Sequence, residues 1–205
     1  METGENNPIH IKTESFNIGL ASNYHLSIQL GIYHFSYCLL NTTTFTYDYI
    51  KKYPLTSKDN TATEITEIIN NDSTLKAEFF SQSIAFVNFP STLVPDSLYK
   101  KEEAETLLAF NTKVNGTVLK DNIVSQKAHL IYSVPESILT IVSNFFPKAK
   151  YKSQESILIQ QYSQLNTEKK KAYLYLNEQK VGITIFNGDK LIFNNSFKYT
   201  SKEDL

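Results

Sequence analysis

The strongest constraint on this chain is a pattern of alternation that occurs twice. Leu26, Ile28 and Leu30 alternate with Ser27, Gln29 and Gly31. After a short turn, Phe35, Tyr37 and Leu39 alternate with Ser36, Cys38 and Leu40, and then Phe45, Tyr47 and Tyr49 alternate with Thr46, Asp48 and Ile50. A period of two sends successive side chains to opposite faces of a strand, so this block predicts three half-buried strands in an antiparallel meander. The block then recurs. Ala172, Leu174 and Leu176 alternate with Tyr173 and Tyr175, and Val181, Ile183 and Ile185 alternate with Gly182 and Thr184. Asn187-Gly188 supplies a hairpin turn before Leu191 and Phe193 begin a third strand.

Between the blocks the apolar spacing becomes helical. Ile65, Ile68 and Ile69 mark a short amphipathic helix, and Ala104, Leu107 and Leu108 mark another within Lys101 to Phe110. Ser133-Val134-Pro135-Glu136 reads as a helix start, with Ser133 as the cap and Pro135 in the first turn. Ile138, Leu139, Val142 and Phe145 form that helix's stripe, and Pro147 closes it. A further helix from about Ser153 is expected to bury Ile157, Leu158, Tyr162 and Leu165, before a charged loop from Asn166 to Lys171. Ser83 to Phe89, Ser91 to Val94, Gly116 to Gln126 and Ala128 to Val134 read as strands. Ser201 to Leu205 resembles the first turn of a helix.

The composition excludes several function classes. The formal net charge is -1 and every basic residue is Lys, so the chain lacks the planar Arg fork that reads phosphates and guanine edges. Nucleic acid is not an expected partner. Cys38 is the one cysteine, which excludes an intramolecular disulfide and a cysteine-based zinc site; it reads as a small buried hydrophobe. His10, His25, His34 and His129 show no metal-ligand spacing on one element, so no metal site is expected. No Walker motif or nucleophile elbow occurs. No apolar run approaches the roughly 20 residues that a membrane span needs. The polar, acidic start is the reverse of a signal peptide, and the cytosol is the expected compartment.

Two meanders separated by helices and strands are similar to the actin-like ATPase (ribonuclease H-like) fold of actin, sugar kinases and heat-shock chaperones. The stretches that carry the resemblance are Tyr24 to Asn41, Ala128 to Phe146 and Lys171 to Tyr199. Phe186-Asn187-Gly188-Asp189-Lys190-Leu191-Ile192-Phe193 is especially like the second-lobe hairpin of the pilus-assembly members. Together with the cell-division actin homologues, these look like the nearest relatives. Within the superfamily the chain is identified as a member of a bacterial family of unknown function. The resemblance implies an α+β (α/β-like) protein with duplicated meander lobes, the second truncated. Residues 1–23 would be a polar leader, 24–168 a first lobe with 76–126 as an inserted strand and helix subdomain, and 169–205 the start of a second lobe. Ala128 to Leu165 would add parallel-sheet elements to the first lobe. The strands Leu26 to Leu30 and Ala172 to Leu176 would be core strands flanked by helices.

The resemblance also says where chemistry would sit. Members that use ATP hold its phosphates between two hairpins, one reading apolar-Asp-apolar-Gly-Thr and the other apolar-Asp-apolar-Gly-Gly-Gly. Each Asp acts through Mg²⁺, and the glycines let backbone N–H groups approach phosphate closely. Here the first hairpin is Ile28-Gln29-Leu30-Gly31-Ile32-Tyr33, with Gln29 in the carboxylate position. The second is Leu174-Tyr175-Leu176-Asn177-Glu178-Gln179, with Tyr175 in the carboxylate position and Asn177, Glu178 and Gln179 filling the glycine turn. The adenosine-binding stretch of the family would lie beyond the second meander. Gln29, Gly31, Tyr33, Tyr175 and Asn177 are therefore the expected positions of a degenerate nucleotide cleft, with no catalytic residue and no cofactor assigned. A non-catalytic binding or scaffold role follows; the alternative is a nucleotide-binding (ATP) protein or ATPase-type switch using unconventional residues. Leu174, Leu176, Ile183, Ile185, Leu191 and Phe193 are the expected interface for self-association or for a protein partner.

Overall fold

A computed structural model describes residues 9–56, 60–165, 169–177 and 180–201. In chain order its elements are β1 (Ile9–Lys12), β2 (Tyr24–Leu30), β3 (His34–Asn41), β4 (Thr46–Pro54), α1 (Thr61–Asn71), β5 (Ser81–Phe86), β6 (Ser91–Pro95), α2 (Ala104–Ala109), β7 (Thr117–Ile123), β8 (Ala128–Val134), α3 (Glu136–Phe145), β9 (Lys150–Ser153), α4 (Gln154–Gln164), β10 (Lys170–Leu176), β11 (Lys180–Asn187) and β12 (Lys190–Lys198). They form a six-stranded sheet in the order β1-β4-β3-β2-β5-β9 and two three-stranded sheets, β6-β8-β7 and β10-β11-β12. The meander β2-β3-β4 is antiparallel, while β5 adds parallel to β2 and β9 parallel to β5.

One face of the large sheet is the core. Leu26, Ile28 and Leu30 meet Phe35, Tyr37 and Leu39, and Ile84 and Phe86 continue the layer. Ile65 and Ile69, one helical turn apart on α1, and Ile138 and Val142, one turn apart on α3, close over it. Burying each such side chain stabilises the fold by roughly 1.5–3 kcal/mol. Polar groups pin this layer. Asp72, which ends α1, is buried and accepts from the Tyr37 hydroxyl at 2.6 Å, the Tyr53 hydroxyl at 2.7 Å and Lys51 Nζ at 3.0 Å. Burial raises the Asp72 carboxyl pKa, but those donors outweigh it and hold the group below the ordinary carboxylate range.

Several expectations are corrected. Ala128–Val134 is a strand followed by a helix, as predicted, but it is the centre of the separate β6-β8-β7 sheet rather than a parallel addition to the first. A tight reversal with Lys127 in the left-handed region (φ 49°) returns the chain from β7 directly onto β8, so the pair forms antiparallel. Gly116 (φ 96°) packs against the end of β8, where a Cβ would sit 2.2 Å from the Val134 carbonyl oxygen. Ser133 does not cap α3: Pro135 holds the cap position, and the Ser133 hydroxyl is buried with no partner among the described residues. The polar start contains an edge strand, because Ile9–Lys12 pairs with Tyr49–Lys52. Ile157 and Leu165 are exposed, since α4 buries Gln154, Ser156 and Ile159. β10 is an edge strand rather than a core strand, and Ala172, Leu174 and Leu176 all face outward. Asn166 and the last four residues of the expected terminal turn lie outside the described residues.

Candidate functional site

Two hairpin tips and the loop after β5 converge. At the first tip Gly31 N–H donates to the His34 carbonyl at 3.0 Å, closing the turn between β2 and β3. Gly31 lies against the backbone at Val87, where a Cβ would come 3.3 Å from the Val87 carbonyl oxygen. Val87 N–H in turn donates to the Leu30 carbonyl at 2.9 Å. At the second tip Asn177 N–H donates to the Lys180 carbonyl at 3.0 Å, and Lys180 N–H returns a bond to Asn177 Oδ1 at 3.0 Å. Glu178 and Gln179, expected to fill this turn, lie outside the described residues.

Asn88 joins the tips. It occupies the left-handed region (φ 63°), which an Asn tolerates better than most residues. Asn177 Nδ2 donates to Asn88 Oδ1 at 3.0 Å, and Lys180 Nζ donates to the Asn88 carbonyl at 3.3 Å. The Tyr199 hydroxyl donates to the Asn177 carbonyl. Beside this clasp opens a cleft of about 260 Å³ lined by Gln29, Tyr33, His34, Ser36, Lys52, Asn88, Tyr175, Leu176 and Asn177. Gln29, Tyr33, Tyr175 and Asn177, singled out from the sequence, thus share one cleft, while Gly31 shapes the turn behind it. Lys52 brings a cation, and no described carboxylate lines the cleft. Nothing among those side chains could hold Mg²⁺ through the family's acidic positions, so this donor set does not fit a metal-bound triphosphate.

A second cleft, of about 510 Å³, runs from β6 to the inner face of β11 and β12. Its charged groups are Glu155, Lys180 and Lys198. Ser153 caps α4 by accepting from Glu155 N–H at 3.3 Å, which sets Glu155 in the first turn. The Glu155 carboxylate accepts from the Ser91 hydroxyl at 2.5 Å and from the Asn194 amide. Gln154 Nε2 donates to the Tyr175 hydroxyl at 2.8 Å. Burial draws the Lys180 ammonium below the ordinary lysine range; Glu155 pulls it back up, and Lys198 adds to the lowering. These partners escaped sequence reasoning. Asn88 and Lys180 lie far apart in the chain, and Lys180 falls on the same strand face as the buried Thr184 and Phe186.

The second meander's other face carries most of the expected interface. Leu174 and Leu176 are 60% and 53% exposed, and Phe193 is 40% exposed. Ile183 and Ile185 are half-buried on the same face, paired with Leu174 and Ala172. Leu191 faces the other way and packs near Ile123, Leu130, Ile159 and Phe186.

Residues 13–205 match the family described as "Protein of unknown function (DUF3822)". The chain belongs to that family. Among solved structures, this DUF3822 chain is similar to a Bacteroides thetaiotaomicron protein described as having an actin-like ATPase fold and unknown function. The two are 21% identical, the match covers 92% of this chain and 75% of the other, and the TM-score is 0.85. The fold is therefore the actin-like ATPase fold, as the resemblance implied. More distant matches are the cytoplasmic domain of EpsL, an inner membrane component of the type II secretion system of Vibrio cholerae, and an Aquifex aeolicus Ppx/GppA phosphatase. EpsL is 10% identical over 85% of this chain and 70% of that one, with a TM-score of 0.42. The phosphatase is 12% identical over 85% and 52%, with a TM-score of 0.37. No curated protein matches the DUF3822 sequence. Among the described residues no helix is long and apolar enough to cross a membrane.

Proposed function

We propose that the protein is a non-catalytic binding or scaffold protein on a degenerate actin-like fold. The observation that carries this is the clasp at the hairpin tips, where Asn177 and Lys180 both bond to Asn88. In a nucleotide-using member the corresponding turn offers bare backbone N–H groups to phosphate. Here a side-chain amide and a lysine spend their donors within the protein. Gln29 and Tyr175, standing where the resemblance expects carboxylates, leave no acidic hold for a metal among the described residues of this cleft. The lobes are then fixed relative to each other, which suits a surface that presents contacts to another protein or to a second copy.

The alternative, an ATP-binding protein or switch using unconventional residues, is favoured by the open volume of about 260 Å³ and by Lys52 on its wall. Thermal shift with ATP, ADP and GTP, with and without Mg²⁺, separates the two. A ligand at a hundredfold its dissociation constant stabilises by about 2.7 kcal/mol, which such a screen resolves. The scaffold proposal expects no shift with any of the nucleotides. A reproducible Mg²⁺-dependent shift overturns it.

A further inference from the structure

The register of the second meander lays out its outward face row by row. Lys170, Asn187 and Lys190 form the end row, followed by Ala172, Ile185 and Phe193, then Leu174, Ile183 and Asn195, then Leu176, Val181 and Phe197. Asn195 is the one polar side chain in the three inner rows. Leu174, Leu176, Phe193 and Phe197 are between 40% and 60% exposed, although the opposite face of the same strands is packed on α4 and β8. An apolar grid of this kind, with lysines along one end, marks an interaction surface.

Its dimensions select the occupant. Three strands spaced by about 4.8 Å are about 10 Å across between the outer two, and three rows at about 6.7 Å per two residues span about 13 Å. One α-helix is about 10 Å wide, and three turns of it run about 16 Å. The same grid covers roughly 300 Å² in plan once side chains are added, well short of the about 800 Å² per partner that a stable pairing of two folded surfaces buries. Charge points the same way. Lys170 and Lys190 close one end of the grid, and Asp189 in the adjoining turn is the one described carboxylate in the meander. A second copy would bring the same lysines, whereas acidic groups would complement them.

We propose that the outward face of the β10-β11-β12 sheet docks a single amphipathic α-helix of a partner protein, with acidic side chains at the end lying over Lys170 and Lys190. This rests on the scaffold role proposed above, yet its test does not involve the nucleotide cleft. A nucleotide-induced thermal shift would remove that role without altering binding at this face.

The test uses the whole chain and a fluorescent peptide of about 14 residues, long enough for the face, with leucines at helical i, i+3, i+4 and i+7 spacing and glutamates in its first turn. A twin peptide carries lysines in place of the glutamates. Anisotropy titration is expected to show the glutamate peptide binding at least about tenfold tighter than its twin, the ratio that about 1.4 kcal/mol of charge preference gives. Lys170→Glu combined with Lys190→Glu should reverse that preference, and Leu174→Lys, at an exposed site on an edge strand, should abolish binding of both. Equal binding of the twins, or no binding of either, overturns the proposal. So does a dimer in light scattering that Leu174→Lys disperses, because the occupant would then be a second copy.

Discussion

Replacing Asp72 by Asn tests what joins α1 to the first meander. The Asp72 Oδ2 atom accepts from Tyr37 at 2.6 Å, Tyr53 at 2.7 Å and Lys51 at 3.0 Å, and Oδ1 accepts from Thr74 N–H at 3.0 Å. An amide keeps a single acceptor oxygen, so whichever way the new side chain turns, donors lose their partner. It also leaves Lys51 without its counter-charge, on a side chain that is 20% exposed. Hydrogen bonds to a charged group contribute about 1.5–3 kcal/mol each. Their losses are not additive, and removing one partner of a buried ionic network costs about 3–5 kcal/mol. At this chain length that lowers Tm by roughly 6–20 °C. The pH dependence has a definite sign. The carboxyl is held below its ordinary range, so its contribution is fully present above the unfolded value of about 4 and is lost as pH falls through the folded value. The gap between wild type and variant should therefore be widest near neutrality and shrink in acid. Urea unfolding followed by circular dichroism at pH 7 and in acid measures both. A loss below about 1 kcal/mol at pH 7, or a gap that does not change with pH, would show that the network is solvated and the reasoning wrong.

Gly116→Ala should destabilise by about 3 kcal/mol, because a Cβ would sit 2.2 Å from the Val134 carbonyl on a backbone with φ of 96°; a urea midpoint within error of wild type would contradict this. Ser133→Ala should be neutral or stabilise by about 1 kcal/mol, since the buried hydroxyl it removes has no partner among the described residues; calorimetry showing a marked loss of stability would count against that. Gln29→Asp and Tyr175→Asp should each leave phosphate release from ATP at background, because either restores one carboxylate while the Asn88 clasp stays closed. Turnover by either single variant would mean that the cleft is far less altered than proposed.

Much of this fold is legible in the sequence where burial is one-sided. The alternation at Leu26, Ile28 and Leu30, and the one-turn spacing of Ile65 with Ile69 and of Ile138 with Val142, report which side of each element meets the core. Partner choice is not local. Nothing within Ala128–Val134 says that it pairs with Ser91–Pro95 and Thr117–Ile123 instead of joining the parallel strands. The short pattern Ile9-His10-Ile11-Lys12 disappears inside a polar stretch, and only its pairing with β4 makes it a strand. The site divides in the same way. Gln29, Tyr33, Tyr175 and Asn177 are named by the resemblance, from the two hairpin motifs, and all four line one cleft. Asn88, Lys180 and Glu155 could not be found in this way, because their contacts join segments that are remote in the chain.

The two remaining misassignments have one cause, and it strengthens the case for duplication. In the first meander the pairs after the turn are Asn41 with Thr46 and Leu40 with Tyr47; Asp48 is then extra, and Leu39 pairs with Tyr49. In the second they are Asn187 with Lys190 and Phe186 with Leu191; Ile192 is then extra, and Ile185 pairs with Phe193. The bulge falls at the same step of the third strand in both. One extra residue inverts the facing of everything beyond it. Tyr47 and Tyr49, which simple alternation puts together, are therefore 59% and 5% exposed. Leu191 and Phe193 separate likewise, the first into the core and the second onto the outward face. The bulge also brings Asp48 into a buried position, where it accepts from the Tyr24 hydroxyl at 3.0 Å and the Thr46 hydroxyl at 2.9 Å. Hydrophobic alternation could arise independently in any two meanders, since it follows from having one buried face. A register shift at the same step of both does not follow from burial, and a repeated structural unit accounts for it directly.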